Sequence, residues 1–403
     1  MKILFVYPPS SYLNHSMFKH FTYFAETIDL VSKKYSHISV LDCAVEMKNR
    51  NQIYEQFRNA DRLILLIEPY NIRQSLELME IYKFMTKAGR TIVYGTAAAL
   101  VPNYLSMRPE VDFVIANGNF AEAILHVLDS GRLPVTPQDK IINIEVEHHT
   151  WGCSLDTNAP LDLYKYWGNG MFEFTVQVGC PFHCSFCSEK ILFPTGKGAV
   201  FAQRPVEEII SMLKRIRASY SSVYFSATTF TYDREWVKKL CKRIIEEDCI
   251  VPWRSDTRVD CLDEELLLLM KKAGLCQLSL GIETFEDGLL KRVNKHQTMD
   301  RIMETIHLCK ETGVNVKALL ILGLPGQTSE EVLRTQELVE KLEIPYRWKE
   351  YSPISELHRK DVRKEGVTEE LDSFSRNTFL ANSIEGISTE KYMQLLFPEG
   401  YVR

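Results

Sequence analysis

Gly179-Cys180-Pro181-Phe182-His183-Cys184-Ser185-Phe186-Cys187 follows directly on an apolar run at 172–178. A short run rich in Phe and Val reads as a buried strand, so the three cysteines sit on a loop at a strand's carboxyl end. Their spacing is Cys-x3-Cys-x2-Cys. Three thiolates on one tight loop can hold three irons of a [4Fe–4S] cubane and leave the fourth iron open, because soft sulfur ligands suit iron–sulfur chemistry. The competing reading is a zinc knuckle with His183 as fourth ligand. It explains neither the strand ahead of the loop nor the ordered features downstream. Cys43, Cys153, Cys241, Cys249, Cys261, Cys276 and Cys309 fall in no paired spacing and read as packing residues.

From this loop onward the chain alternates strands and helices. Strand patterns at 172–178, 223–225, 251–255, 277–280, 316–322 and 346–351 alternate with helical patterns near 206–218, 233–247, 262–273, 298–312 and 328–342. Six strands with five intervening helices imply a partial (β/α)6 barrel with its chemistry at the strand carboxyl ends. Upstream lies a second alternating series, with strands at 3–6, 38–41, 63–67, 91–94 and 113–115, and helices around 17–34, 51–60, 72–88 and 120–128. That pattern implies a parallel sheet covered on both faces. Its ligand site belongs at the loops Tyr7-Pro8-Pro9-Ser10, Glu68-Pro69-Tyr70-Asn71, Gly95-Thr96-Ala97-Ala98-Ala99 and Asn117-Gly118-Asn119. The expected organisation is a first α/β domain over 1–130, a connection over 131–170, the barrel over 171–352 and a short C-terminal segment over 353–403.

Composition narrows the function classes. The 403 residues are 45% hydrophobic and 25% charged with a net charge of −5, values of an ordinary globular protein without a basic footprint. Nucleic acid and membrane are therefore not expected partners; a small molecule or peptide is. The apolar run at 1–7 is too short for a signal or a membrane span. Ten cysteines without an export signal point to a reducing compartment, the cytoplasm.

With Phe186 as its aromatic, the Cys180–Cys184–Cys187 loop resembles the signature of the radical S-adenosylmethionine (SAM) superfamily. Leu280-Gly281-Ile282-Glu283-Thr284 resembles the family segment whose carboxylate bonds the SAM ribose. The stretch Leu322-Gly323-Leu324-Pro325-Gly326 resembles the one whose backbone lies against the adenine, and 253–260 a region where Ser255 and Arg258 would take the methionine carboxylate. Where relatives often carry an acidic pair, this chain has Phe225-Ser226-Ala227-Thr228-Thr229, whose hydroxyls could still bond SAM. The resemblance implies that Cys180, Cys184 and Cys187 bind the cluster, that Phe186, Ser226, Ser255, Arg258, Gly281, Glu283 and Gly323 surround SAM, and that reductive cleavage of SAM yields a 5′-deoxyadenosyl radical. It also implies an electron donor such as flavodoxin or ferredoxin.

A Rossmann-like domain ahead of the barrel resembles the cobalamin-binding subfamily of these proteins. That likeness would place the corrin against Pro8, Pro9, Glu68, Pro69, Tyr70, Gly95, Thr96, Ala97, Asn117 and Gly118. The Asp-x-His-x-x-Gly motif that supplies an axial histidine is absent, as is usual in this subfamily, so Glu68-Pro69-Tyr70-Asn71 would face the cobalt. The implied reaction is C-methylation of an unactivated carbon in a natural product or peptide; the alternative is a cyclisation or rearrangement without net methylation. Tyr392, Phe397 and Tyr401 either cap the active site or pack against the body, and one cluster is expected because no cysteine follows Cys309.

Overall fold

The computed structural model describes residues 1–9, 21–43, 46, 50–145, 148–153, 170–193, 201–368, 371 and 384–396. Ser10, the start of the helical pattern at 17–34, Phe397 and Tyr401 lie outside the described residues. The first sheet comprises β1 (Ile3–Tyr7), β2 (Ile38–Asp42), β3 (Arg62–Leu66), β4 (Arg90–Tyr94), β5 (Phe113–Ile115) and β6 (Ile141–Ile142). All pair in parallel in the order β2-β1-β3-β4-β5-β6. Both faces are covered, which is why the strands are apolar throughout rather than alternating. Ile3, Phe5 and Tyr7 face Phe24, Ile28 and Ile124, while Leu4 and Val6 face Phe57, Leu76 and Met79. The chain runs outward from β1 to β2 and then returns to β3, so the crevice of the sheet opens between the loops that follow β1 and β3. The final strand comes from within the stretch read as a connection.

The second sheet comprises β7 (Met171–Thr175), β10 (Ser222–Ser226), β11 (Trp253–Thr257), β12 (Leu275–Glu283), β13 (Asn315–Leu322) and β14 (Tyr346–Glu350). A separate antiparallel pair, β8 (Gln177–Val178) with β9 (Ala202–Gln203), lies beside it. The six strands pair in parallel in sequence order, β7-β10-β11-β12-β13-β14, as an open half-barrel. Here the strands do alternate. Phe172, Phe174, Val223, Phe225, Trp253, Leu278, Leu280, Val316, Ala318 and Trp348 pack into the core beneath the surrounding helices. The opposite parity puts Glu173, Tyr224, Asp256, Ser279, Lys317 and Arg347 on the inner side, so the barrel lumen is polar.

The two sheets are tied together at several points. Arg204, 2% exposed, donates from Nε to Thr175 O (2.8 Å) and from Nη2 to Gly152 O (2.8 Å), and its Nη2 lies 3.4 Å from Glu26 Oε1. Glu26, on the helix Phe21–Ser32, also accepts from Thr175 N (2.9 Å). On the other side, the helix Ile354–Val362 leaves β14 and returns to the first sheet. Its Asp361 accepts from Asn103 N (2.9 Å) and Tyr104 N (2.8 Å), and Leu357 joins the core under β3. The helix Thr389–Leu396 packs Tyr392, Leu395 and Leu396 into the barrel core. Among the described residues no helix is long and apolar enough to cross a membrane.

Candidate active site

The cysteine loop leaves β8 through Gly179, whose φ of +75° lies in the left-handed region that favours glycine. Hydroxyls following β10 then fasten it: Thr228 Oγ1 donates to Gly179 O (2.6 Å), and Thr229 Oγ1 lies 3.6 Å from Cys180 Sγ. This is the stretch where relatives often carry an acidic pair, and here it serves the loop. Asn294 Nδ2 donates to His183 O (2.8 Å), Ser185 N donates to Val293 O (3.0 Å), and Ser355 Oγ bonds Ser185 O. Phe186 packs against Leu289, Val293, Ile321 and Leu324. The loop is thus held from three sides by backbone, amide and hydroxyl bonds to its backbone.

Arg258 sits under this loop, buried, with a bidentate pair to Asp260 (Nε–Oδ1 2.9 Å, Nη2–Oδ2 2.7 Å). Nη2 also donates to Lys295 O (2.8 Å), Nη1 points at Cys184 Sγ (3.6 Å), and the guanidinium lies 3.8 Å from the centre of the Phe182 ring. Rather than offering a guanidinium edge to solvent, Arg258 spends it on Asp260 and the cluster loop. Burial raises the Cys184 thiol, with Lys295 and Arg258 acting the other way, and burial pushes Cys187 up to about 12. A thiolate at either position needs the positive charge of a bound metal beside it. Among the described residues no three His, Cys, Asp or Glu side chains converge on one metal ion. A cubane asks for less, one thiolate per iron, and the donor set of three cysteines with N–H and O–H groups aimed at sulfur fits it.

At the end of β12 the ladder to β13 shifts between Gly281 and Glu283, and Glu283 adopts φ +66°. Positive φ at a non-glycine residue is strained, and the strain turns the buried Glu283 carboxylate toward Lys295 (Oε1–Nζ 2.8 Å). A Cβ on Gly281 would stand 3.0 Å from both Glu283 Oε1 and Lys295 Nζ, so the position admits no side chain without disturbing the pair. Gly323, at φ +85°, opens the loop after β13, where Gln327 Oε1 accepts from Gly323 N (2.8 Å) and Leu324 N (3.2 Å).

Strand parity separates the remaining expectations. Ser226 continues the inward parity of Tyr224 and lines the central cavity. Ser255 does not: it shares the helix-facing side with Trp253, is fully buried, and donates to Phe225 O (2.7 Å). The inward neighbour is Asp256, which accepts from Tyr224 OH (2.6 Å). The sequence signal for Asp256 was the alternation itself. Lys295 and Gln177 were also missed. Gln177 stands between Val176 and Val178, a polar residue in an apolar run, and that was its signal.

On the other wall, Glu68, Pro69, Tyr70 and Thr96 line the same cavity of about 350 Å3 between the carboxyl ends of the two sheets. Burial raises the Glu68 carboxyl to about 7, against hydrogen bonds from Thr96 and the pull of Lys349. The other residues expected there serve the fold. Pro8 and Pro9 end β1 and do not line the cavity. Gly95, at φ +108°, lets the chain pass within 2.7 Å (from an added Cβ) of Ile67 O, and Ala97 is buried in the core. Asn117 Nδ2 bonds Ile144 O (2.8 Å), and the Phe193 ring covers Gly118, where a Cβ would meet it at 2.3 Å.

Residues 174–339 match the family model of the radical SAM superfamily. The chain carries a radical SAM domain. Domains of this family work with a [4Fe–4S] cluster and SAM, and the match is confined to residues 174–339. Among curated proteins it is 29% identical over 189 residues to an uncharacterized methyltransferase of Pyrococcus horikoshii, covering 46% of this chain and 40% of the relative. It is 33% identical over 169 residues to an anaerobic magnesium-protoporphyrin IX monomethyl ester cyclase of Rubrivivax gelatinosus, covering 40% of this chain and 29% of that one. The matches thus span two fifths or less of these relatives' lengths. Among solved structures the fold resembles the radical SAM methyltransferase TsrM of Kitasatospora setae, determined with cobalamin and a [4Fe–4S] cluster. The TM-score is 0.68 at 15% identity, over 88% of this chain and 77% of that one. It also resembles OxsB, a cobalamin-dependent radical SAM enzyme, with a TM-score of 0.62 at 15% identity, over 99% of this chain and 60% of that one.

Proposed function

We propose that the protein is a cobalamin-dependent radical SAM enzyme that methylates an unactivated carbon of a small natural product or peptide. The observation that carries this reading is a cavity onto which both sheets open. The barrel wall and the start of the helix after the cysteine loop form one side, and the Glu68-Pro69-Tyr70 and Thr96 loops form the other. When bound, the cluster with SAM supplies a hydrogen-abstracting radical, and cobalamin supplies a transferable methyl group. Cys180, Cys184 and Cys187 would hold the cluster, with Thr229 against the Cys180 sulfur and Arg258 against the Cys184 sulfur. Lys295 fixes Oε1 of Glu283 so that Oε2 can accept from a ribose hydroxyl. Glu68, Pro69, Tyr70 and Thr96 would hold cobalamin from the side of the first sheet, and the four include no histidine. What the chain contributes is placement and exclusion of water, since a substrate between two cofactors reacts only where both reach the same carbon.

Anaerobic production with cobalamin, followed by cluster reconstitution and ultraviolet–visible spectroscopy, tests the reading. About one corrin per chain is expected; iron and sulfide without corrin, despite ample supply, contradict it. Once a substrate is in hand, product mass separates addition of a methyl group from a cyclisation that removes hydrogens.

A further inference from the structure

The cavity is electrostatically lopsided. Its lining carries the carboxyl groups of Glu68, Glu173, Glu189, Asp256 and Glu350 against one cation among the described lining residues, Lys349. Arg254 acts on Glu173, and Arg347 and Lys317 on Asp256, from deeper in the lumen; none of the three lines the cavity. A cluster of acids alone invites no conclusion, but Gln177 supplies an independent one. It is 2% exposed, it lines this cavity, and among the described residues neither its Nε2 nor its Oε1 has a hydrogen-bond partner. A buried amide left unpaired is costly, and in a native structure such a group calls for water, an ion or a ligand to complete it. Oε1 of Glu350, on the same lining, is also without a partner among the described residues.

The two chemistries are complementary to one kind of molecule. A primary carboxamide presents a donor and an acceptor side by side, the match of a peptide or carboxamide group, and a carboxylate-rich wall with little counter-charge matches a protonated amine. Glu283 and Gly323, read as SAM neighbours, are not part of this lining, and Gln177 lies on the barrel wall rather than on the Glu68-Pro69-Tyr70 side. We propose that the barrel wall binds the substrate through a protonated amine facing Glu173, Asp256 and Glu350 and through an adjacent amide paired with Gln177. The substrate is thus an aminoacyl or peptide N-terminal group. This inference rests on the reading of the cavity as the seat of reaction.

The test uses the anaerobically reconstituted protein with SAM and cobalamin. Binding of alanyl-alanine amide and of its N-acetyl twin is followed by saturation-transfer NMR. The free amine is expected to bind about tenfold tighter than the acetylated twin, the effect of one charge-assisted hydrogen bond. Gln177→Leu should lower its affinity by a similar factor, and Gln177→Asn, which keeps a neutral amide but withdraws it by one methylene, reports the same loss of pairing if the apolar variant folds poorly. Equal binding of the twins, binding indifferent to both substitutions, or no binding by either twin overturns the inference. If this happens in samples that retain corrin and cleave SAM, the functional reading stands and only the substrate class falls. Samples that do neither remove the reading and the inference with it.

Discussion

Arg258 joins four groups through one guanidinium: the Asp260 carboxylate, the Lys295 carbonyl, the Cys184 sulfur and the Phe182 ring. A planar fork does this and a point charge does not. Arg258→Lys is therefore expected to fold but to hold its cluster about 10–100-fold more weakly, the usual cost of losing an outer partner of a metal ligand. Iron retained after a chelator challenge measures it, and retention equal to the wild type would contradict the role. Glu350 offers a second case. Burial raises its carboxyl from 4.5 to about 8, so between these values the folded protein binds more protons than the unfolded chain, and stability falls as pH rises through that window. Glu350→Gln removes this penalty. It should leave stability nearly unchanged at pH 4.5 and raise it by about 4 kcal/mol at pH 8, read from denaturant melts at both pH values; a variant no more stable at pH 8 would contradict it. At this scale the sequence was partly readable. Cysteines and glycines announce themselves by spacing, whereas the resemblance that points to Ser255 does not say which strand face it occupies, and alternation turns Ser255 toward the helices and Asp256 inward.

Elements were more legible than residues. Strands buried on both faces and the five amphipathic helices of the barrel repeat a pattern over enough residues to be distinguished. The two-residue strands Ile141–Ile142, Gln177–Val178 and Ala202–Gln203 do not. They exist because neighbouring chain supplies their partners, which no local pattern records. Nor does a pattern reveal the clamp in which Arg204, just after the last of these strands, reaches Thr175, Gly152 and Glu26. Breaking a buried pair by removing one partner costs about 3–5 kcal/mol, so Arg204→Leu should destabilise the protein by that order. Thermal or denaturant unfolding is the check, and a loss below about 1 kcal/mol would show the clamp to be dispensable. The variant also leaves the Gly152 and Thr175 carbonyls without this donor, adding to the loss.

Over the whole molecule, two parallel sheets direct their carboxyl ends toward one cavity, which both the open-sheet and the barrel rules anticipate separately. Their facing arrangement was not written in either pattern. It follows from the Arg204 clamp on one side and the Asp361 anchor on the other, contacts between residues more than a hundred positions apart. The central claim is that Cys180, Cys184 and Cys187 hold a cluster whose open iron serves SAM. Its most direct test is formation of 5′-deoxyadenosine from SAM by the anaerobically reconstituted, chemically reduced protein, with iron measured on the same sample. The account predicts about four irons per chain and 5′-deoxyadenosine that disappears in Cys184→Ala. Product that persists in Cys184→Ala, or a fully loaded wild-type protein that leaves SAM intact, would contradict it.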